Sequence, residues 1–234
     1  MQNLTANPDN MDKENGVIKG VSCVILVGGE SRRIGSDKAR VEFRGKKLFT
    51  HVFDKVAPLF TDLMISARDE KYPIGALGDI KGGRLVTDHK AAADSPTLAV
   101  GDRRRGPIFG LCSALDEARN PWLFMTACDQ PLIEPRLIRY LATLRGDFDC
   151  VVPVTGGKIQ SLFALFNKTC LTALRERIEK AETKKGLSLF GFLEKTEELK
   201  IRHVTEEELR GIDPELKSFI DIDTLDELAE LQNK

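Results

Sequence analysis

The sequence predicts an α/β protein with a doubly wound, mostly parallel sheet, and three patterns support that fold class. The segment from Val21 to Val27 is a nearly continuous aliphatic run stopped by Gly28 and Gly29, as expected of a strand buried on both faces. Short apolar runs then alternate with amphipathic helical segments, which is the order of a βαβ chain. After Asp149, two apolar runs flank a Gly-Gly turn. These runs predict a hairpin, so the sheet is expected to be mixed.

The alternation can be followed along the chain. The further predicted strands are residues 63–67, 84–87 and 122–127, and another near residue 201. The predicted helices are residues 48–60, 108–118, 135–144, 168–181 and 187–193, and a last helix that Thr224 caps. Prolines near the start of two of these helices support their boundaries. Residues 89–105 show no such pattern and are expected to form a long surface loop. The alternation as a whole predicts a Rossmann-like fold.

Composition excludes several classes of protein. Thirty-five basic and 36 acidic residues leave a formal net charge of -1, so no global field attracts nucleic acid or an anionic membrane. The five cysteines are widely spaced without a C-x-x-C pair, which indicates reduced thiols and a cytoplasmic protein. The polar residues 1–20 predict a flexible tail rather than a signal peptide. Residues 21–234 are then expected to form a single domain.

The loop from Gly28 to Lys38 is the first candidate site. It combines three glycines, which permit close approach to a phosphate, with the cations Arg32, Arg33 and Lys38. Its spacing is that of neither a P-loop nor a G-x-G-x-x-G dinucleotide motif. The loop is therefore interpreted as a polyphosphate cradle, with an ordinary glycine-rich surface turn as the alternative.

Carboxylates at strand ends form the second candidate site. Asp129 follows the apolar run of residues 122–127, at the end of a strand where open α/β sheets bind ligands, and its oxygens suit magnesium. A turn or helix-cap aspartate is the alternative. Asp221 and Asp223 alternate on an extended segment, so one could complete the metal site, with Asp221 preferred and Asp223 equally suited to capping a helix. Asp88 could accept hydrogen bonds from a base or ribose.

The histidines give little indication of a catalytic role. His51, His89 and His203 are isolated in the sequence and are interpreted as solvated histidines. No Ser-His-Asp or Cys-His arrangement can be argued. Within the run RGPIFG, residues 105–110, the Gly-Pro could shape a floor beneath Asp88, although both features are also common in structural turns.

Six motifs, in this order, resemble the molybdenum cofactor guanylyltransferases. They are LVGGESRRIGSDK, TD at residues 87–88, GPIFG, ACDQP, QSLFALF and FIDIDTLDEL. The resemblance spans residues 21–231 and implies a fold of the nucleotidyltransferase type. Gly28, Gly29 and Asp37 favour the guanylyl branch over related cytidylyl and sugar nucleotidyltransferases. Val27 and Ile34 depart mildly from the family's usual opening motif.

The resemblance also implies roles for individual residues. The nucleotide-binding positions that it implies are Leu26, Val27, Gly28, Gly29, Lys38, Ser66, Asp88 and Asp129. Lys38, Arg33 and Asp129 would be catalytic, and Asp129 and Asp221 would hold Mg²⁺. Ser66 stands where the family often has asparagine, and the late N-x-N-T segment appears here as residues 221–224.

The implied reaction is transfer of GMP from GTP to molybdopterin or its molybdenum-loaded form, with release of pyrophosphate. Transient contact with molybdenum-insertion or molybdoenzyme maturation proteins is part of the same expectation. Two alternatives stay open. One is another nucleotidyltransferase that uses CTP or a sugar-phosphate acceptor, and the other is a non-catalytic nucleotide-binding protein of the same fold.

Overall fold

The computed structural model describes residues 16–27, 37–68, 70–88, 106–181, 183 and 185–232. Ten strands occur in these ranges. They are β1 (Val21–Leu26), β2 (Glu42–Phe43), β3 (Lys46–Lys47), β4 (Leu63–Ala67), β5 (Gly83–Thr87), β6 (Trp122–Ala127), β7 (Cys150–Thr155), β8 (Lys158–Ile159), β9 (Phe163–Asn167) and β10 (Ile201–Val204). The three longer strands predicted after β1 are thus confirmed to within one residue.

Seven α-helices lie in the same ranges. They are α1 (Leu48–Val56), α2 (Pro107–Glu117), α3 (Pro135–Thr143), α4 (Cys170–Lys180), α5 (Leu189–Lys195), α6 (Glu206–Arg210) and α7 (Leu225–Gln232). Short 3₁₀ turns cover Lys38–Arg40, Ala57–Leu59, Ile74–Leu77 and Lys217–Phe219. Proline begins both α2 and α3, where the missing N–H leaves no intrahelical bond unmade. All six predicted helices are present, and α6 is an additional short helix.

The main sheet is mixed and mostly parallel, as predicted. Its strand order is β10-β7-β9-β6-β1-β4-β5, with β8 paired to β7. Strand β1 lies between β4 and β6 and pairs with both in parallel, while β9 runs antiparallel to β6 and β7. The antiparallel strand β9 therefore joins the parallel half of the sheet to the β7–β10 half.

Helices cover both faces of the sheet, which makes the fold doubly wound. On one face, Cys23 and Ile25 of β1 pack in a cluster that includes buried side chains of α1 and α3. On the other face, Val24 packs in a cluster built with α2, α4 and α5. Side chains alternate between the faces of a strand, so a strand buried on both sides has to be apolar throughout.

Three details differ from the expectations. The body begins before residue 21, because the Ile18 side chain is buried and its N–H donates to the Leu59 carbonyl oxygen at 2.8 Å. The predicted second arm of the hairpin is two strands, β8 and β9, because a turn closed by the Phe163 N–H and the Gln160 carbonyl oxygen separates them. The small β2–β3 hairpin was not predicted. Its strands have two residues each, too few to show an alternating pattern.

Candidate functional site

The carboxyl ends of three parallel strands meet at one edge of the sheet. Leu26, the last residue of β1, is in register with Ser66 of β4 and with the last residue of β6. The Val27 N–H donates to the Ser66 carbonyl oxygen at 2.9 Å, and the Cys128 N–H donates to the Leu26 carbonyl oxygen at 3.2 Å. Asp129, the next residue, therefore lies beside the end of β1. This is the edge at which open α/β sheets bind ligands.

A half-buried lysine links two carboxylates at this edge. The Lys38 Nζ donates to Asp129 Oδ2 at 2.7 Å and also forms an ion pair with Asp223 Oδ1. The Lys38 and Asp129 side chains are only 13% and 16% exposed, against 48% for Asp223. Burial alone would lower the pKa of Lys38, but the charges and hydrogen bonds of the two carboxylates raise it above its usual value. The ammonium is therefore fully charged at neutral pH.

A backbone hydrogen bond holds the late acidic segment against Asp129. The Ile222 N–H donates to the Asp129 carbonyl oxygen at 3.0 Å, and the Ile222 side chain is fully buried. The helix cap is Thr224, whose Oγ1 accepts from the Glu227 N–H at 3.2 Å. The expectation that Asp223 could cap this helix is therefore wrong. Its carboxylate lies beside Lys38 instead.

Asp221 lies in an excess of negative charge. The Thr126 hydroxyl donates to Gln130 Oε1 at 3.1 Å, which leaves the Gln130 amide group to donate to Asp221. Desolvation and the charges of Asp129 and Asp223 raise the pKa of Asp221 to about 6. Two carboxylates thus contact the Lys38 ammonium, and the charges of both also act on a third, Asp221.

The donor set fits a divalent cation that shares its ligands with a nucleotide. Within the described ranges, no three or more His, Cys, Asp or Glu side chains form a ready-made metal cluster. Magnesium, however, usually binds one or two carboxylates together with substrate phosphates, rather than a cage made only of protein. Asp129 and Asp223 already hold a cation, the Lys38 ammonium, between carboxylate oxygens. Asp221 interacts with the charges of both, so Asp129 and Asp221 stay the predicted metal ligands.

Comparisons with known proteins identify the family. A family model described as the MobA-like NTP transferase domain matches residues 23–197. A protein of Natranaerobius thermophilus, named a probable molybdenum cofactor guanylyltransferase, is 30% identical over 213 residues, which are 90% of this chain and 94% of that protein. The chain belongs to this family. Both the predicted family and the predicted class, a nucleotidyltransferase, are confirmed.

Solved structures of the MobA-like family and its neighbours share the fold. The crystal structure of molybdopterin-guanine dinucleotide biosynthesis protein A from Archaeoglobus fulgidus has a TM-score of 0.71 and 25% identity, covering 91% of this chain and 97% of that one. Rv0371c from Mycobacterium tuberculosis, solved in complex with manganese, has a TM-score of 0.59 and 15% identity over 92% of this chain and 99% of its own. At that identity the likeness concerns the fold alone.

The nucleotide-binding positions that the resemblance implies fall into two groups. Leu26, Val27, Ser66 and Asp129 lie together at the carboxyl edge, and Lys38 contacts Asp129 there. Asp88 follows the neighbouring strand β5, with its N–H donating to the Ala67 carbonyl oxygen at 3.2 Å and its side chain buried. The remaining nucleotide-binding positions, Gly28 and Gly29, lie outside the described residues. The same holds for the cations Arg32 and Arg33, for residues 1–15 and for residues 89–105, which were expected to form a loop.

Helix α2 approaches this edge closely at one glycine. A Cβ at Gly110 would lie 2.9 Å from Ser66 Oγ and 3.0 Å from Leu26 Cδ2, closer than side chains normally approach. The last glycine of the GPIFG motif therefore packs against Ser66 of β4 and Leu26 of β1. The expectation that the Gly-Pro of this motif shapes a floor beneath Asp88 stays a prediction.

Two site residues were missed by the sequence interpretation. The Tyr72 hydroxyl donates to Asp37 Oδ2 at 2.6 Å, so it contacts the residue before Lys38. Tyr72 lies in an irregular segment after β4, where no pattern marks it. Gln130, which bonds to Asp221, stands inside the quoted ACDQP motif, so its position next to Asp129 was the available signal.

The cysteines and histidines supply no nucleophile within the described residues. Burial, together with the charges of Asp129 and Asp37, raises the pKa of Cys128 well above its usual value, so its thiol stays protonated. His203 is exposed, as predicted. The prediction for His51 is wrong, because its Nε2 lies 2.6 Å from the Phe43 carbonyl oxygen, which joins α1 to the β2–β3 hairpin. His89 lies outside the described residues.

Proposed function

We propose that this chain transfers GMP from GTP to the terminal phosphate of molybdopterin or its molybdenum-loaded form. The observation that carries the proposal is the Lys38 ammonium held between Asp129 and Asp223 at the carboxyl edge of a nucleotidyltransferase sheet. The nucleotide and the acceptor are both anions, so a cation at the site lowers their mutual repulsion. Carboxylates can hold a further cation, Mg²⁺, against the phosphates. The name of the Natranaerobius relative supports guanine as the base, and the name of the Archaeoglobus protein supports molybdopterin as the acceptor.

The reaction needs no general base. An acceptor phosphate oxygen attacks the α-phosphorus of GTP and forms a new P–O bond. The bond between that phosphorus and the bridging oxygen to the β-phosphate breaks, and its electron pair leaves with pyrophosphate. The second pKa of a phosphate monoester is about 6, so the attacking oxygen is already largely ionised at neutral pH. This agrees with a site whose described residues offer cations and carboxylates rather than a catalytic histidine.

The chain's own residues would act by positioning and by charge. Asp129 and Asp221 would hold Mg²⁺, which supplies Lewis-acid stabilisation of phosphate charge when bound. Lys38 and Arg33 would neutralise the triphosphate, and Lys38 keeps its charge because its pKa is raised. Leu26, Val27, Gly28, Gly29, Ser66 and Asp88 would bind the remainder of the nucleotide.

Replacing Asp129 tests the proposal directly. Purified protein is given GTP, Mg²⁺ and molybdopterin, and pyrophosphate release and the dinucleotide product are measured. Asp129→Ala should abolish turnover and leave the fold intact by circular dichroism. The matched control is Asp116→Ala, which removes a 48% exposed carboxylate whose partner Arg175 lies on α4. Wild-type turnover in Asp129→Ala would refute the proposed role of this site.

The base preference has its own test. A ligand specific for the native state raises the unfolding temperature in proportion to RT ln(1+[L]/Kd). Thermal unfolding with Mg²⁺ and GTP, CTP, UTP or ATP should show the largest shift with GTP. Equal shifts with all four would remove the guanine assignment, and a larger shift with CTP would favour a cytidylyl reaction.

Location and partners follow from the same proposal. The five cysteines are free and buried, which fits the reducing cytoplasm where we place the reaction. Among the residues that the structure covers, no helix has both the length and the apolar character needed to cross a membrane. The product would pass to molybdenum-insertion or molybdoenzyme maturation proteins through transient contacts.

A further inference from the structure

The Asp37 carboxylate has two partners, one on each oxygen. Oδ1 accepts a hydrogen bond from the Ala39 N–H at 3.1 Å, which makes Asp37 the N-cap of the turn Lys38–Arg40. Oδ2 accepts a hydrogen bond from the Tyr72 hydroxyl at 2.6 Å. The carboxylate that starts the turn carrying Lys38 is thus itself held by a residue 35 positions later in the chain.

Tyr72 is attached to a firmly packed part of the molecule. Its half-buried ring packs against the core cluster on the α1 face of the sheet. The 3₁₀ turn that follows, Ile74–Leu77, packs against the turn Lys38–Arg40 and is fixed to Lys47, whose Nζ donates to the Ala76 carbonyl oxygen at 2.7 Å. The Tyr72 hydroxyl is therefore a fixed donor rather than a mobile surface group.

The chemistry of the pair keeps the bond in one direction. Desolvation, the hydrogen bond to Asp37 and the charge of Asp37 raise the pKa of Tyr72 far above its usual value. The phenol therefore stays protonated and always donates, while the carboxylate accepts. A hydrogen bond to a charged group is stronger than one between neutral groups, so this bond can hold a side chain in place.

We propose that Tyr72 is a positioning residue of the transfer reaction. Its hydroxyl fixes the Asp37 carboxylate, and the capped turn then directs Lys38 toward Asp129 and the triphosphate. Without the hydroxyl, the Asp37 side chain can rotate away from the Ala39 N–H. The turn that begins at Lys38 is then no longer capped, and the Lys38 backbone is held less firmly. The inference rests on the proposed function, since the triphosphate is what Lys38 is positioned to meet.

The chain contains a matched control for this bond. It has two tyrosines, and the second, Tyr140, also donates its hydroxyl to a carboxylate, Glu208 Oε1 at 3.1 Å. Its pKa is likewise raised, to about 12, by desolvation and by Glu208. Tyr140 joins α3 to α6, whereas Tyr72 joins the segment after β4 to the turn that carries Lys38. Tyr72→Phe and Tyr140→Phe thus delete the same atom from the same kind of bond.

The experiment compares Tyr72→Phe, Tyr140→Phe, Asp37→Asn and the double variant Tyr72→Phe/Asp37→Asn. For each, the unfolding temperature, the kcat, the KM for GTP and for the acceptor, and the calorimetric Kd of inorganic tripolyphosphate with Mg²⁺ are measured. Tyr72→Phe should lower kcat/KM for GTP about tenfold and weaken tripolyphosphate binding, with KM for the acceptor unchanged. Tyr140→Phe should change the unfolding temperature by a similar amount and neither functional measure.

The double variant separates positioning from general stability. If Tyr72 acts through Asp37, Tyr72→Phe should have little further effect once Asp37 is asparagine. Multiplying effects, or tripolyphosphate binding that is as tight in Tyr72→Phe as in Tyr140→Phe, would overturn the inference. If the wild-type protein does not transfer GMP, the proposed function fails, and the tripolyphosphate Kd still decides the role of Tyr72.

Discussion

Aspartates lie at both edges of the parallel strands, and Asp129 and Asp62 are bonded in different ways. Asp129 lies at the carboxyl edge and shares the Lys38 ammonium with Asp223. Asp62 lies at the amino edge, directly before β4, and its side chain is 3% exposed. Both carboxylates face cations, so charge pairing alone does not distinguish them. They differ in the number of hydrogen-bond donors that each carboxylate has.

Asp62 is saturated with donors. It accepts hydrogen bonds from the Ser22 hydroxyl at 2.7 Å, from Arg84 Nε at 3.2 Å and from the Arg119 N–H at 2.9 Å. Although desolvation would raise it, these donors lower the pKa of Asp62 below its usual value. The four residues come from the starts of β1, β4 and β5 and the segment before β6, so the carboxylate joins parallel strands.

Charged groups at the amino edge stabilise the fold, whereas those at the carboxyl edge are arranged to interact with a ligand. At the amino edge, the Asp62 carboxylate accepts hydrogen bonds from three fixed donors, as expected for a buried structural ion. At the carboxyl edge, the Lys38 ammonium forms ion pairs with both Asp129 and Asp223. Desolvation and the charges of these two carboxylates raise the pKa of Asp221 to about 6. Perturbed pKa values of this kind are typical of functional sites.

Among the substitutions that compare the two edges, removal of Lys38 should produce the largest effect. Lys38→Met should reduce guanylyl transfer by about 10² to 10³, because one electrostatic contact to a developing charge is lost. It should also bind Mn²⁺ about tenfold more tightly without nucleotide, since the ammonium no longer competes for Asp129. Electron paramagnetic resonance measures the free Mn²⁺. Lys46→Met, from an exposed pair with Asp54, is the control and should change neither quantity. Weaker Mn²⁺ binding would show that Lys38 supports the metal ligands instead of competing with the metal.

Replacing Asp62 should affect stability and spare the reaction. Asp62→Asn removes the buried charge partner of Arg84, which keeps its ion pair with the partly exposed Glu117, and should lower the free energy of unfolding by about 2–3 kcal/mol. Urea unfolding at neutral pH measures the loss, and kcat per folded molecule should be unchanged. In the control Asp116→Asn, both partners of the ion pair are about half exposed, so the loss should be below about 1 kcal/mol. A fall in kcat as large as the one in Lys38→Met would make the two edges functionally alike.

The two edges also differ in how much the sequence could predict. Asp129 was identified because it directly follows an apolar strand, and that relation is local in the chain. The strands and most helices were predicted for the same reason, since their periodicity spans only a few residues. Asp62 reads as a turn residue between Phe60 and β4. Its partners lie 22 to 57 positions away, so only the folded sheet brings them together.

The site shows the same limit. The pairing of Lys38 with Asp129 joins two predicted motifs, but the direction of Asp223 toward Lys38 depends on a backbone bond from Ile222 to Asp129. The role of Tyr72 depends on where the segment after β4 packs. Motifs supply the reactive groups, and tertiary contacts decide which of them touch.

The smallest expected effect comes from Ser22, the uncharged partner of Asp62. Ser22→Ala removes one of three donors to that carboxylate and the acceptor that Asn120 uses at 3.2 Å. Asp62 keeps Arg84 and the Arg119 N–H, so the free energy of unfolding should fall by about 1 kcal/mol. Because the hydroxyl acts through Asp62, Ser22→Ala should cost less in an Asp62→Asn background than in the wild type. Urea unfolding of the four proteins in this cycle measures the coupling. Strictly additive losses would mean that the amino-edge donors stabilise separate strands, and that saturation of one carboxylate is not what distinguishes this edge from the other.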